Sequence, residues 1–245
     1  HCRLRRQRQM CIRDSNIDCF KLNQQFKDLQ IPVNQRPKIV NRLLKEQAIK
    51  SQEFVLDFLK KQTSSKIYFH SFWIVNIIVA QVDAATIEKL LQFSNIASVK
   101  IENNRFIAHD DFKLSVVDNN RTPNGVENGL IAINAPAMWE LGYTGRGRLA
   151  YNYDTGVWPN HPAFSNRFIG SRFPMQQSWI GYFNEFPNGS IQNHGTHTLG
   201  TIAGLVESTN DTIGVAFGSY WIANDFVTST VQALPPIVNM IEAFQ

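Results

Sequence analysis

A chain of 245 residues with 43% hydrophobic and 18% charged side chains can bury one large or two ordinary cores, which excludes the disordered, collagenous and fibrous classes. Its longest apolar stretch, Phe72 to Ala80, is interrupted by Asn76 and reaches about half the length needed to cross a bilayer, so no membrane span is expected. The net charge of +4 comes from residues 1–15, where Arg3, Arg5, Arg6, Arg8 and Arg13 face only Asp14; the remainder is balanced and no nucleic-acid partner is expected.

Residues 1–15 show no apolar periodicity and no signal-peptide apolar region. Met10-Cys-Ile-Arg-Asp-Ser15 resembles a translated sequencing-library adapter, so this tail is set aside as non-native and left out of the fold. Cys2 and Cys11 go with it, and Cys19 alone builds neither a disulfide framework nor a cysteine metal site. From Pro37 to Gln62, residues Ile39, Val40, Leu43, Leu44, Ala48, Phe54, Val55, Phe58 and Leu59 recur at helical spacing and predict a long amphipathic helix. Thr63-Ser64-Ser65 breaks it. Lys66 to Val82, rich in Ile, Val, Phe and Trp, predicts one bent strand or two strands meeting near Ser71. Asp83 reads as the N-cap of a second helix through Ile87, Leu90 and Leu91, and Ile96 to Ile101 alternates as a further strand.

Helix, strands, helix and strand make up most of a ferredoxin-like βαββαβ unit, an α+β domain over residues 16–107 whose first strand is not evident. Glu102 to Asn128, rich in Asn, Asp and Arg with a Pro123-Asn124-Gly125 turn, reads as a linker, assigned to 108–128. A second region, 129–245, begins with a short helix through Ala135 to Leu141. A glycine-punctuated turn at Gly142 to Gly147 comes next, then a strand from Arg148 to Tyr153. Gly145-Arg-Gly147 precedes that strand, which identifies it as a turn and not half of a dinucleotide-binding fingerprint. Asn120, Asn188 and Asn210 open Asn-x-Ser/Thr patterns, which carry meaning only in a eukaryotic secretory pathway. Phe173, Trp179, Tyr182, Phe183 and Phe186 cluster in a Pro/Gly-rich loop, where packing is expected ahead of a substrate-binding lip.

Two windows can carry chemistry. Asp154-Thr155-Gly156 comes directly after a strand, so its carboxylate lies at a strand C-terminus, where open α/β sheets place their sites; the plain alternative is a turn aspartate bonding its own backbone. Asp-Thr-Gly is also the aspartic protease signature, but that chemistry needs a second carboxylate, which only a homodimer could add here. Asn193-His-Gly-Thr-His-Thr-Leu-Gly-Thr-Ile-Ala-Gly204 predicts a helix with a small-residue face and His194 exposed at its start. His194 and His197 supply only two metal ligands, and the zincin glutamate is absent. Together the windows offer more: a carboxylate can fix the tautomer of a neutral imidazole and stabilise the imidazolium formed when it takes a proton from a hydroxyl.

Asn134-Ala-Pro-Ala-Met-Trp139, Gly142-Tyr-Thr-Gly-Arg-Gly147, Asp154-Thr-Gly-Val157, His161-Pro162, His194-Gly-Thr-His197, Ile213-Gly-Val-Ala-Phe217 and Trp221-Ile-Ala223 resemble the subtilisin-like serine peptidases, most nearly the bacillopeptidase F-like subgroup. The resemblance implies a partial doubly wound α/β catalytic domain with a parallel sheet. It also implies His194 as general base, Asp154 as its orienting partner, and the chain order Asp, His, Ser. By the same resemblance residues 36–107 correspond to the propeptide, an intramolecular chaperone and temporary inhibitor acting in cis. Protein or peptide substrates and a secreted location are implied as well. No cofactor is assigned, and the family's use of calcium finds no assignable ligands. The Gly-Thr-Ser-Met-Ala segment is absent, and Ser208, Ser219 and Ser229 lack its context. The nucleophile and the oxyanion asparagine are therefore expected downstream of Gln245, and the chain is expected to be an inactive fragment. Pro236, Ile237, Val238, Ile241 and Phe244 open a helix expected to belong to the peptidase region. A non-catalytic pseudo-peptidase or peptidase-inhibitor module is the alternative reading.

Overall fold

The structure, a computed structural model, describes residues 6–12, 17–62, 67–101, 125–189, 193–227 and 235–245. The helix break at Thr63–Ser65, the linker from 102 to 124 with its expected maturation site, Asn120 and Ser229 lie outside the described residues. The chain divides into two compact units, His1–Asn104 with Pro236–Gln245, and Arg105–Pro235.

In the first unit the order is β1 (Arg6–Ile12), α1 (Cys19–Asp28), α2 (Arg36–Lys60), β2 (Phe69–Phe72), β3 (Ile77–Val82), α3 (Ala84–Leu90) and β4 (Ile96–Ile101). The four-stranded sheet runs β2-β3-β1-β4, antiparallel throughout, which is the sheet of the split βαβ fold. The missing first strand is Arg6–Ile12, inside the tail that composition and motif had excluded. It pairs with β3 on one side and β4 on the other. A central strand draws both rows of backbone hydrogen bonds from its neighbours, so tertiary pairing can specify it without an apolar alternation of its own.

Local signals account for most of the other elements. The Asp18 side chain caps α1 by accepting from Phe20 N and Lys21 N, a helix that apolar periodicity does not reveal. Asp83 caps α3 through Thr86 N. The hairpin turns at Trp73–Asn76, later than the expected Ser71, because Asn76 takes the left-handed conformation (φ 44°) that asparagine tolerates. Buried Gln52 holds this turn by donating to Phe72 O (2.9 Å) and Asn76 Oδ1 (2.7 Å). Val55, Leu59, Ile78, Ala80, Val82, Leu90 and Ile96 form the core between α2, α3 and the sheet.

The C-terminal helix α7 (Ile237–Glu242) joins this unit and not the peptidase region as expected. Val238 is buried with Phe72 and Val79, and Gln245 Oε1 accepts from Trp73 N at 2.9 Å. Its apolar stripe predicted a buried face correctly, but periodicity does not say against which surface a face is buried.

The second unit contains α4 (Asn128–Ala132), α5 (Ala135–Glu140), β5 (Leu149–Tyr153), β6 (Trp179–Ile180), α6 (His194–Ala203), β7 (Leu205–Val206), β8 (Asp211–Thr212) and β9 (Tyr220–Asn224). Strands β5, β9 and β6 form a parallel sheet in that order, and β7 and β8 an antiparallel pair. This is the expected α/β class. The glycine turn before β5 uses positive φ at Gly142, Gly145 and Gly147. Trp221 on β9 is fully buried and donates Nε1–H to Phe164 O at 2.9 Å. Phe168 stacks on it at 4.4 Å, and Leu199 and Ala203 of α6 close the same core. Helix α6 is thus fixed against the sheet by its apolar face, with its first residue left at the end of β5.

Phe72→Ala, which empties the shared core of the first sheet and α7, is expected to cost about 3–5 kcal/mol, read as a lowered urea midpoint with unchanged slope.

Candidate active site

The site forms where β5 ends and α6 begins. A helix start at such a place must be satisfied from outside, because its first N–H groups have no intrahelical partner. Asn193 at the N-cap makes no side-chain capping bond. Thr155 Oγ1 instead accepts from Gly195 N at 3.0 Å, and Asn152 Nδ2 donates to Gly195 O at 2.7 Å. Thr196 Oγ1 accepts from Trp158 N at 2.9 Å. Three residues of the strand and the turn after it therefore hold the first helical turn.

The two segments come very close. A Cβ on Gly195 would strike Gly156 O and crowd Asp154 Cβ, and one on Gly156 (φ +102°) would strike Asn188 O. Only glycine permits either approach.

This places His194 Nδ1 2.7 Å from Asp154 Oδ1. A carboxylate can only accept, so Nδ1 carries the proton, and Nε2 of the neutral ring is left as an acceptor. The Asp154 side chain is 11% exposed and that of His194 45%, so the carboxylate is covered while the imidazole can be reached. Asp154 is itself held on all sides: Thr155 N donates to Oδ1 at 2.7 Å, Thr198 Oγ1 to Oδ2 at 3.0 Å, Asp154 N to Asn224 Oδ1 at 3.1 Å, and Val227 N to Asp154 O at 3.1 Å. Such an arrangement can take a proton from a hydroxyl presented to Nε2 and stabilise the resulting imidazolium.

Asn152, Thr155, Thr198 and Asn224 were not singled out in the sequence. The signal for Thr198 was its helical spacing from His194; buried Asn224, at the end of an otherwise apolar strand, was a second. Buried Asp225 was a third. It accepts from Tyr182 N, Phe183 N, Asn184 N and Asn184 Nδ2 and anchors the aromatic loop. The packing expected of that loop holds for Trp179, which is buried, whereas Phe173, Tyr182, Phe183 and Phe186 are exposed. Their short connection leaves too little chain to fold all five rings inward.

Among the other sequence-predicted residues, His197 is exposed, and no group of three metal-ligating side chains occurs among the described residues. Ser208 lies on an exposed turn. Ser219 is buried, its Oγ without a hydrogen-bond partner.

Residues 153–238 match the family model described as the subtilase family. Residues 153–238 belong to the subtilase family. Bacillopeptidase F of Bacillus subtilis (strain 168) is 31% identical over 201 residues, covering 77% of this chain. Subtilisin E of the same organism is 31% identical over 144 residues, 59% of this chain. Its major intracellular serine protease is 32% identical over 101 residues, 41% of this chain. The chain spans 14%, 31% and 29% of the lengths of these three relatives. Asp154 and His194 both lie within the subtilase match.

Tyr151 and Tyr153 flank Asn152 beneath this site. Burial pushes both phenols up to about 12, opposed at Tyr151 by the Asn224 hydrogen bond and reinforced at Tyr153 by the charge of Tyr151. The unfolded chain loses these protons first, near its ordinary value of 10, so stability present below that pH is lost as pH rises toward 12. Urea unfolding at about pH 9 and about pH 11.5 is expected to show a lower midpoint at the higher value. Gly195→Ala is expected to separate α6 from Asp154 and destabilise by about 1–3 kcal/mol, with loss of the protected His194 Nδ1–H resonance.

Proposed function

We propose that the second unit is part of the catalytic domain of a serine endopeptidase, with His194 its general base and Asp154 the residue that orients the base. The single observation that carries this reading is the 2.7 Å contact between His194 Nδ1 and Asp154 Oδ1, made inside a segment of subtilase sequence. In the reaction a serine Oγ bonds to a peptide carbonyl carbon while His194 Nε2 takes the hydroxyl proton, and the carbonyl electron pair moves onto oxygen. Collapse of the tetrahedral species breaks the C–N bond, and the amine leaves with the proton from Nε2. Water then repeats the sequence on the acyl ester and releases the acid. Protein or peptide substrates are implied by this chemistry. The serine itself is not assigned among residues 1–245.

The first unit, residues 16–107 in the sequence reading, is proposed as a propeptide acting in cis as chaperone and inhibitor. Two observations support it. The similarity to Bacillopeptidase F covers 77% of the chain, more than the second unit contains. In addition, Val238, the last residue of the subtilase match, is buried on the first unit's sheet against Phe72 and Val79. Maturation would then cut within the linker, and export is the proposed fate; no described helix is long and apolar enough to cross a membrane.

The test is to express the protein from coding sequence extended past residue 245 and measure peptide hydrolysis and labelling by a fluorophosphonate. His194→Ala is expected to lower kcat by about 10⁴ or more and abolish labelling. Equal hydrolysis by the His194→Ala protein would overturn the assignment, and an unchanged protein that neither hydrolyses peptides nor takes the label would favour the non-catalytic reading.

A further inference from the structure

His194 and Thr198 are four residues apart on α6 and share one face of the helix. They meet the same carboxylate on different oxygens, His194 Nδ1 at Oδ1 (2.7 Å) and Thr198 Oγ1 at Oδ2 (3.0 Å). The Thr198 hydroxyl also lies 3.1 Å from Gly195 O and 3.3 Å from Asn152 Oδ1. It has one proton to give. The carboxylate oxygen is the nearest of the three acceptors and the only charged one, and hydrogen bonds to charged acceptors are roughly twice as strong. Gly195 O, moreover, already accepts from Asn152 Nδ2 at 2.7 Å. Bonding to Gly195 O would be ordinary helix back-bonding by a threonine and would do nothing for Asp154.

We propose that Thr198 is a positioning residue that fixes the plane of the Asp154 carboxylate and, through it, the tautomer of His194. The inference rests on the reading of Asp154 and His194 as the base and its orienting partner. Rotation about the Cβ–Cγ bond of an aspartate is soft and nearly twofold, so a carboxylate bonded on one oxygen alone can exchange its two oxygens before the imidazole. Asp154 Oδ1 accepts from Thr155 N and His194 Nδ1. With Thr198 on Oδ2 the plane is pinned at both ends, the Nδ1–H donor keeps one partner, and Nε2 stays the acceptor nitrogen of the neutral ring.

The experiment is ¹⁵N NMR of the imidazole nitrogens in the 245-residue chain, for the unchanged sequence and for Thr198→Val, Thr198→Ala and Thr198→Ser, with the amide spectrum checking the fold of each. The unchanged chain is expected to show His194 as the Nδ1–H tautomer with a slowly exchanging ring proton. Valine keeps the shape and removes the donor; exchange of that proton is expected to speed up about fivefold or more, the weight of one hydrogen bond, with a mixed tautomer signal. Alanine should behave likewise if valine disturbs the helix, and serine should restore the original behaviour. Unchanged tautomer and exchange in both valine and alanine variants would overturn the role of Thr198 and leave the Asp154–His194 pair standing. A freely exchanging Nε2–H tautomer in the unchanged chain would instead overturn the pair itself, and the inference with it.

Discussion

The hydrogen bond between His194 Nδ1 and Asp154 Oδ1 depends on two pieces of backbone that must nearly touch. One is the end of a parallel strand and the turn after it, the other the first turn of a helix, and the contact is possible because Gly195 carries no side chain where it meets Gly156 O and Asp154 Cβ. A hydrogen bond of this length tolerates little displacement of either partner. Everything around the pair serves that tolerance: Trp221, Leu199 and Ala203 bury the helix against the sheet, while Thr155, Asn152 and Trp158 tie its first turn. Apolar burial sets the position coarsely and the polar ties set it finely.

The same division of labour appears at the end of β9. Asn224, the last residue of a strand whose preceding residues pack in the core, and Asp225, the residue after it, are buried and polar. Leaving them unpaired would be costly in so dry a setting, and both are paired. Asn224 bridges Asp154 N and the Tyr151 hydroxyl, and Asp225 collects the amides of Tyr182, Phe183 and Asn184. One short segment thus holds the backbone of Asp154 and the backbone of the aromatic loop. The backbone of that loop is held by Asp225, and of its exposed rings Tyr182 packs edge-on against Phe183 and beside Phe226.

The first unit reaches its fold by a different route. Its long helix, its hairpin, its capped third helix and its last strand each carry a local signal, but the sheet closes only when Arg6–Ile12 enters between β3 and β4. Its far end is covered by α7, residues that come after the whole second unit in sequence. Both additions are non-local pairings, and non-local pairing is where a reading by short windows has least purchase.

By itself the sequence determined the features that chain periodicity and residue chemistry dictate. The apolar repeat of α2, the Asp83 cap, the alternation of β4, the glycine turn before β5 and the start of α6 at His194 are all local properties. So is the pairing of motif types that marked Asp154 and His194 before any distance was known. Tertiary structure alone decided which strand stands at the centre of the first sheet, which surface receives α7, and which residues hold Asp154 in place. Those outcomes turn on partners remote in sequence, and polar residues such as Thr198 and Asn224 look like ordinary helix and strand positions until folding brings a carboxylate within hydrogen-bonding reach.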